Sequence, residues 1–122
     1  MEDRIDFNTK FKLRTQDFAV DLIRFYSANC KKTEELRVIG KQLLRSGTSV
    51  AANFRAFTRG RSEAEKFSKL CIIVEEADET QFWLELIERA NLLNSSNLLG
   101  LKNEITELVS VFTALKSKMK VK

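Results

Sequence analysis

Apolar residues recur along most of this chain at the three- and four-residue spacing of an amphipathic helix. Phe18, Leu22, Phe25 and Tyr26 form one such stripe and predict a first helix from about Thr15, read as its N-cap, to Cys30. Residues 1–14 show no clear period and read as an N-terminal arm. A second helix is predicted from Thr33, as N-cap, to about Thr58, with Glu34 and Glu35 suiting its first turn and Leu36, Ile39, Leu43, Val50, Phe54 and Phe57 facing inward. Its weak point is Ser46-Gly47-Thr48-Ser49. Glycine costs about 1 kcal/mol against alanine inside a helix. Small residues there also let another helix come close, so a continuous, closely packed helix and a break at Gly47 are the alternatives.

Ser62 and Glu65 spell a capping box and open a third helix, read to about Leu93 as the longest of the set. Phe67, Leu70, Val74, Ala77, Gln81, Leu84 and Ile87 mark one side of it, while Ile72, Ile73, Phe82, Trp83 and Leu86 widen the apolar circumference. A wide apolar face implies more than one packing partner. The bland source is a central position in a monomer, and the sharper one is a subunit interface anchored by Phe82 and Trp83. After the polar turn Asn94-Ser95-Ser96-Asn97, a fourth helix is predicted from about Asn97 to Met119, with Leu98, Leu101, Ile105, Leu108, Val111, Phe112 and Leu115 inward. Residues 120–122 form a basic C-terminal tail. Four helices with short connections make an all-α, up-down-up-down four-helix bundle over residues 15–119.

Composition agrees with long helices. Proline is absent and there are four glycines, so the strongest helix breakers are missing or scarce. The 122 residues fit one domain. There is no run of about 18 apolar residues to cross a membrane. The polar start Met1-Glu2-Asp3-Arg4 does not read as a secretory leader, so a cytoplasmic protein is expected, with Cys30 and Cys71 as reduced thiols.

Charge adds the feature with the most functional content. Residues 1–61 hold thirteen Lys and Arg against seven Asp and Glu, whereas residues 62–122 hold eight against ten. On the second helix Arg37, Lys41, Arg45, Arg55 and Arg59 fall at about 0°, 40°, 80°, 0° and 40° around the axis. The apolar positions of the same helix lie at about 200–260°. The stripe runs roughly 33 Å at 1.5 Å per residue. Like charges in such a row repel one another, so folding gains little from them and a polyanion would gain much. Arg37, Lys41, Arg45, Arg55, Arg59 and Arg61 are therefore the candidate nucleic-acid contacts, with a generally basic solvated surface as the plain alternative. Phe54 and Phe57 interleave with Arg55 and Arg59 in sequence but lie on the opposite side, which suits a core and not a stacking platform.

Little else points to chemistry. Histidine is absent, which removes the commonest general base and the commonest transition-metal ligand. There is no Gly-rich phosphate loop, and no catalytic residues are assigned. Glu75, Glu76, Asp78 and Glu79 could in principle hold Mg²⁺ or Mn²⁺, but a second ligand-bearing helix is not evident, so no metal site and no cofactor are expected. Pairing with basic residues of another helix or subunit suits them better. Asp78 borders the apolar stripe and would need an arginine partner if buried.

Gln42-Leu43-Leu44-Arg45-Ser46-Gly47-Thr48-Ser49-Val50-Ala51-Ala52-Asn53 resembles a pattern, Q-L-x-R-x-x-x-S-(I/V)-x-x-N, of a family of bacterial four-helix-bundle proteins first noticed in intervening sequences of large ribosomal RNA genes. Arg61-Ser62-Glu63-Ala64-Glu65-Lys66-Phe67 and Glu75-Glu76-Ala77-Asp78-Glu79-Thr80-Gln81-Phe82-Trp83-Leu84-Glu85-Leu86 extend the resemblance, which covers about residues 15–119. The family includes the accessory variability determinant proteins of diversity-generating retroelements. That likeness implies a ring-like homopentamer with a basic surface, which binds structured RNA or DNA and a reverse transcriptase. Many members continue as Asn-(I/V)-x-Glu-Gly, where this chain has Asn53-Phe54-Arg55-Ala56-Phe57, so its surface is more basic and lacks that Glu. Ser49 and Asn53 match the motif one helical turn apart, and read as a helix–helix or subunit hydrogen bond, or as a direct nucleic-acid contact. The expectation is a non-enzymatic nucleic-acid-binding oligomer; the alternative is a protein-interaction scaffold that spends its basic stripe on the acidic face of a neighbouring subunit.

Overall fold

The second and third helices of this chain start at side chains that take up orphan backbone N–H groups. Thr33 Oγ1 accepts from Leu36 N at 3.1 Å, and Ser62 Oγ accepts from Glu65 N at 3.1 Å. Glu65 reaches back in turn, its Oε1 accepting from Arg61 N at 2.7 Å. A computed structural model describes the backbone of residues 2–119 and the side chains from Asp6 onward. Its elements are α1 (Glu2–Asn29), α2 (Glu34–Thr58), α3 (Glu63–Arg89) and α4 (Ser95–Lys118), and no strand occurs among the described residues. The tail expected at residues 120–122 lies outside them.

Each helix packs on the next in antiparallel fashion, and cross-helix contacts fix the register. Phe7 meets Phe54 at 6.2 Å between ring centroids, Ser46 Oγ lies 2.9 Å from Thr80 Oγ1, Gln81 Nε2 donates to Thr106 Oγ1 at 3.0 Å, and Phe11 meets Phe112 at 5.8 Å. The bundle therefore runs α1–α2–α3–α4 around one core of Phe, Leu, Ile and Val side chains. No helix among the described residues is long and apolar enough to cross a membrane.

Several sequence expectations change. Residues 2–14 of the expected arm are helical, and α1, at 28 residues, replaces the third helix as the longest. Phe7 and Phe11 carry its apolar stripe into the core, and Thr15 is no cap: it is buried inside the helix, its hydroxyl donating to Phe11 O at 2.8 Å. The third helix stops at Arg89, short of Leu93. Asn91 takes φ 57°, and Asn91 N and Leu92 N donate back to Glu88 O and Ile87 O at 3.0 and 3.1 Å, which ends the helix in a left-handed cap. The fourth helix begins at Ser95, two residues before Asn97.

No break occurs at Gly47. A Cβ there would lie 1.9 Å from Leu22 Cδ1, and a Cβ at Gly40, one heptad earlier, would lie 2.8 Å from Cys30 Cβ. Both glycines face α1 and let it approach closely, which is the packing alternative for this segment. Cys30 is fully buried beside Gly40 as a small apolar filler, and burial pushes its thiol up to about 11.

Candidate nucleic-acid interface

The amphipathic pattern of α2 places its core residues and its cations as the sequence predicts. Leu36, Leu43, Val50, Phe54 and Phe57 are buried, while Lys41, Arg45, Arg55 and Arg59 are exposed and Arg37 is half-buried. Exposure does not leave all of them available. Arg45 turns across to α3, with Nη2 donating to Glu79 Oε2 at 2.6 Å and Nη1 to Glu76 Oε2 at 3.4 Å. Arg37 folds back on the α1–α2 connection, donating to Lys31 O at 3.0 Å and to Glu34 Oε1 at 3.2 Å. Arg61, 92% exposed, reaches Glu65 only at 4.0 Å. Lys41, Arg55 and Arg59 make no ion pair among the described residues.

The stripe is therefore interrupted. Neighbouring carboxylates hold Arg37 and Arg45, and the free positive charge lies at Lys41 and, more densely, at the C-terminal end of α2. The scaffold alternative foresaw basic and acidic faces meeting between subunits; at Arg45 they meet within one chain.

Around Arg45 a small network joins α2 to α3. Trp83 Nε1 donates to Glu79 Oε2 at 3.0 Å. Glu79 therefore accepts from both an indole and a guanidinium, and these two bonds, the indole's first, hold its carboxyl below the ordinary 4.5. Beneath lies the buried Ser46–Thr80 hydroxyl pair, in which Thr80 Oγ1 also donates to Glu76 O at 2.7 Å. A carboxyl whose folded value is depressed contributes stability above its unfolded value and loses it as pH falls through the folded one. Stability should thus decline as pH drops below about 4.5, and Trp83→Phe should move the Glu79 titration upward, a shift that carboxyl-carbon NMR would read. An unchanged titration in that variant would show that the indole bond does not form in solution.

The remaining candidate residues are also placed. Ser49 and Asn53 bond within α2 and not across helices: Asn53 Nδ2 donates to Ser49 O and Ser49 Oγ, both at 2.9 Å. Among the described residues neither side chain bonds to another helix of this chain. Asp78 is exposed, so the conditional need for an arginine partner does not arise. Trp83 is half-buried and packs against the core, whereas Phe82 is 48% exposed and rests edge-on against it at 4.9 Å. Glu76 and Glu79 turn toward Arg45 while Glu75 and Asp78 face solvent, and among the described residues no group of three His, Cys, Asp or Glu is placed to hold a metal ion.

Two features escaped the sequence. Arg14 clamps α1 to α4 through Glu104 at 2.8 Å and Glu107 at 3.3 Å, beside a groove of about 630 Å³ floored by Phe18, Phe25 and Leu101. Leu13, Val20 and Ile23 are exposed on the outer face of α1. The seven-residue spacing of Leu13 and Val20 is a signal for a second apolar row, obscured by the lack of a clear period in residues 1–14.

This is an all-α bundle of four antiparallel helices with a basic outer surface on α2. The family model described as 23S rRNA-intervening sequence protein matches residues 8–114, and the chain belongs to that family. It is similar to a crystal structure of a protein with unknown function from the S23 ribosomal protein family of Bacteroides thetaiotaomicron, at 31% identity and a TM-score of 0.79, over 90% of this chain and 97% of that one. No curated protein gives a significant match.

Proposed function

We propose that this protein is a non-enzymatic accessory protein of the cytoplasm that works as a homo-oligomer and binds structured RNA or DNA through its basic surface. The observation that carries the reading is the set of exposed, like-charged Lys41, Arg55 and Arg59 with no intramolecular ion pair among the described residues. Phosphates are the partners such cations fit, and contacts of this kind carry little sequence information, so RNA shape or a partner protein would supply specificity. The family likeness extends the proposal to a ring-like pentamer and to a reverse transcriptase of a diversity-generating retroelement as partner. The exposed Leu13, Val20 and Ile23 of α1 and Phe82 of α3 favour assembly, because monomers rarely leave such apolar rows in water.

Titrating the purified protein with a structured RNA and a matched DNA duplex at several salt concentrations tests the proposal. Affinity should fall steeply with salt, with a slope of about 0.9 per neutralised phosphate on a duplex. Absence of binding at low salt, together with an oligomeric mass that collapses when Arg55 and Arg59 are replaced, would favour the scaffold reading, in which the stripe serves subunit contacts.

A further inference from the structure

In an antiparallel bundle the start of α1, the end of α2, the start of α3 and the end of α4 meet at one end. The Phe7–Phe54 and Phe11–Phe112 contacts place them so, and a Cβ at Gly60 would lie 2.5 Å from Lys66 Cγ. That end gathers cations that are scattered in sequence. Arg55 and Arg59 come from α2, Lys66 and Lys69 from α3, and Lys116 and Lys118 from α4. Among the described residues, Asp6, Glu63 and Glu65 are the carboxylates near them; Glu65 is engaged with the Arg61 backbone and Glu63 sits in the first turn of α3. The opposite end mixes signs, with Glu34, Glu35 and Glu85 among Arg24, Lys31 and Lys32.

Aromatic placement narrows the ligand. Proteins that bind single strands offer exposed rings for bases to stack on. Here Phe54, Phe57 and Phe112 point into the core with exposures of 0%, 3% and 0%. The one exposed aromatic among the described residues is Phe82, beside Trp83 at the level of Arg45, away from this end. Phe7 and Phe67 at this end are half-buried, so it offers charge without a fully exposed ring, which suits a duplex that keeps its bases paired and presents only phosphates.

We infer that this basic end of the bundle, and not the length of the α2 stripe, is the phosphate-docking surface, and that it takes a double-stranded nucleic acid. The inference rests on the nucleic-acid reading above. The test is a titration of the full chain with a short RNA duplex and with one of its strands, using three charge-matched variants. Arg55→Gln/Arg59→Gln and Lys116→Gln/Lys118→Gln should each weaken duplex binding about tenfold and lower the salt slope by about two. Lys31→Gln/Lys32→Gln removes the same charge at the other end and should change affinity less than about twofold. Equal losses in all three variants, or no loss from the α4 pair, would overturn the assignment to the end. Tighter binding of the single strand would overturn the duplex assignment. No binding of either probe by the unaltered protein would instead overturn the nucleic-acid reading itself.

Discussion

Phe54→Ala should lower folding stability by about 3–5 kcal/mol, among the largest single losses available in this molecule. Phe54 is wholly buried where three helices meet. Its ring lies 6.2 Å from Phe7 of α1, 5.5 Å from Phe112 of α4 and 5.6 Å from Phe57 of its own helix. Two of these neighbours are held by a further ring, since Phe11 meets Phe7 and Phe112 at 4.5 and 5.8 Å. Such a cluster cannot collapse into the void, so the lost transfer energy and the cavity both count. Phe54→Leu keeps most of the volume and should cost less than half as much. Urea unfolding followed by circular dichroism measures both, and a loss below about 1 kcal/mol for the alanine variant would mean the aromatic cluster closes over the void. The cluster also underlies the basic end, so the helix ends that carry Arg55, Lys66 and Lys116 are held together by it.

The fold was legible where the determinants are local. Thr33 and Ser62 cap the helices they were read to cap, because a cap needs only the three residues that follow it. The sector of α2 that carries the cations is also local, since the helical period fixes it. Partners across the bundle were not legible. Nothing near Arg45 in sequence announces Glu76 and Glu79, more than thirty residues on, and nothing near Arg14 announces Glu104, ninety residues on. The first turns of α1 were lost for a different reason. Thr15 interrupts the series Phe7, Phe11, Phe18 and Leu22 with a residue that favours caps, and its hydroxyl is satisfied by the carbonyl one turn back. Once Thr15 is read as an interior threonine, the apolar series runs unbroken into the core. The candidate site shows the same division: the side of α2 that faces water was readable, while which of its cations stay unneutralised depends on α3 and on the folded-back Arg37.

Gly47→Val should destabilise the protein by about 3 kcal/mol, even though no loop, charge or hydrogen bond is altered. The added Cβ would fall 1.9 Å from Leu22 Cδ1, and Phe18 Cε2 stands 3.5 Å away. Leu22 and Phe18 are each 1% exposed, so Leu22 has nowhere to move without displacing other core side chains. Alanine at the same position sets two effects against each other: a gain of about 1 kcal/mol in helix propensity and the same contact with Leu22. Gly100 separates these effects, because it is also inside a helix and a Cβ there meets nothing within 4 Å. Gly100→Ala should therefore raise stability by about 0.5–1 kcal/mol through propensity and the reduced freedom of the unfolded chain. In the Gly47→Val background, Leu22→Ala should recover part of the loss, whereas alone it leaves a cavity; that non-additivity is the signature of direct contact. Additive effects would place α1 farther from α2 than the two glycines imply. The close approach matters for the surface too, since it seats α2 between α1 and α3 with only its Lys41, Arg55 and Arg59 side turned to solvent.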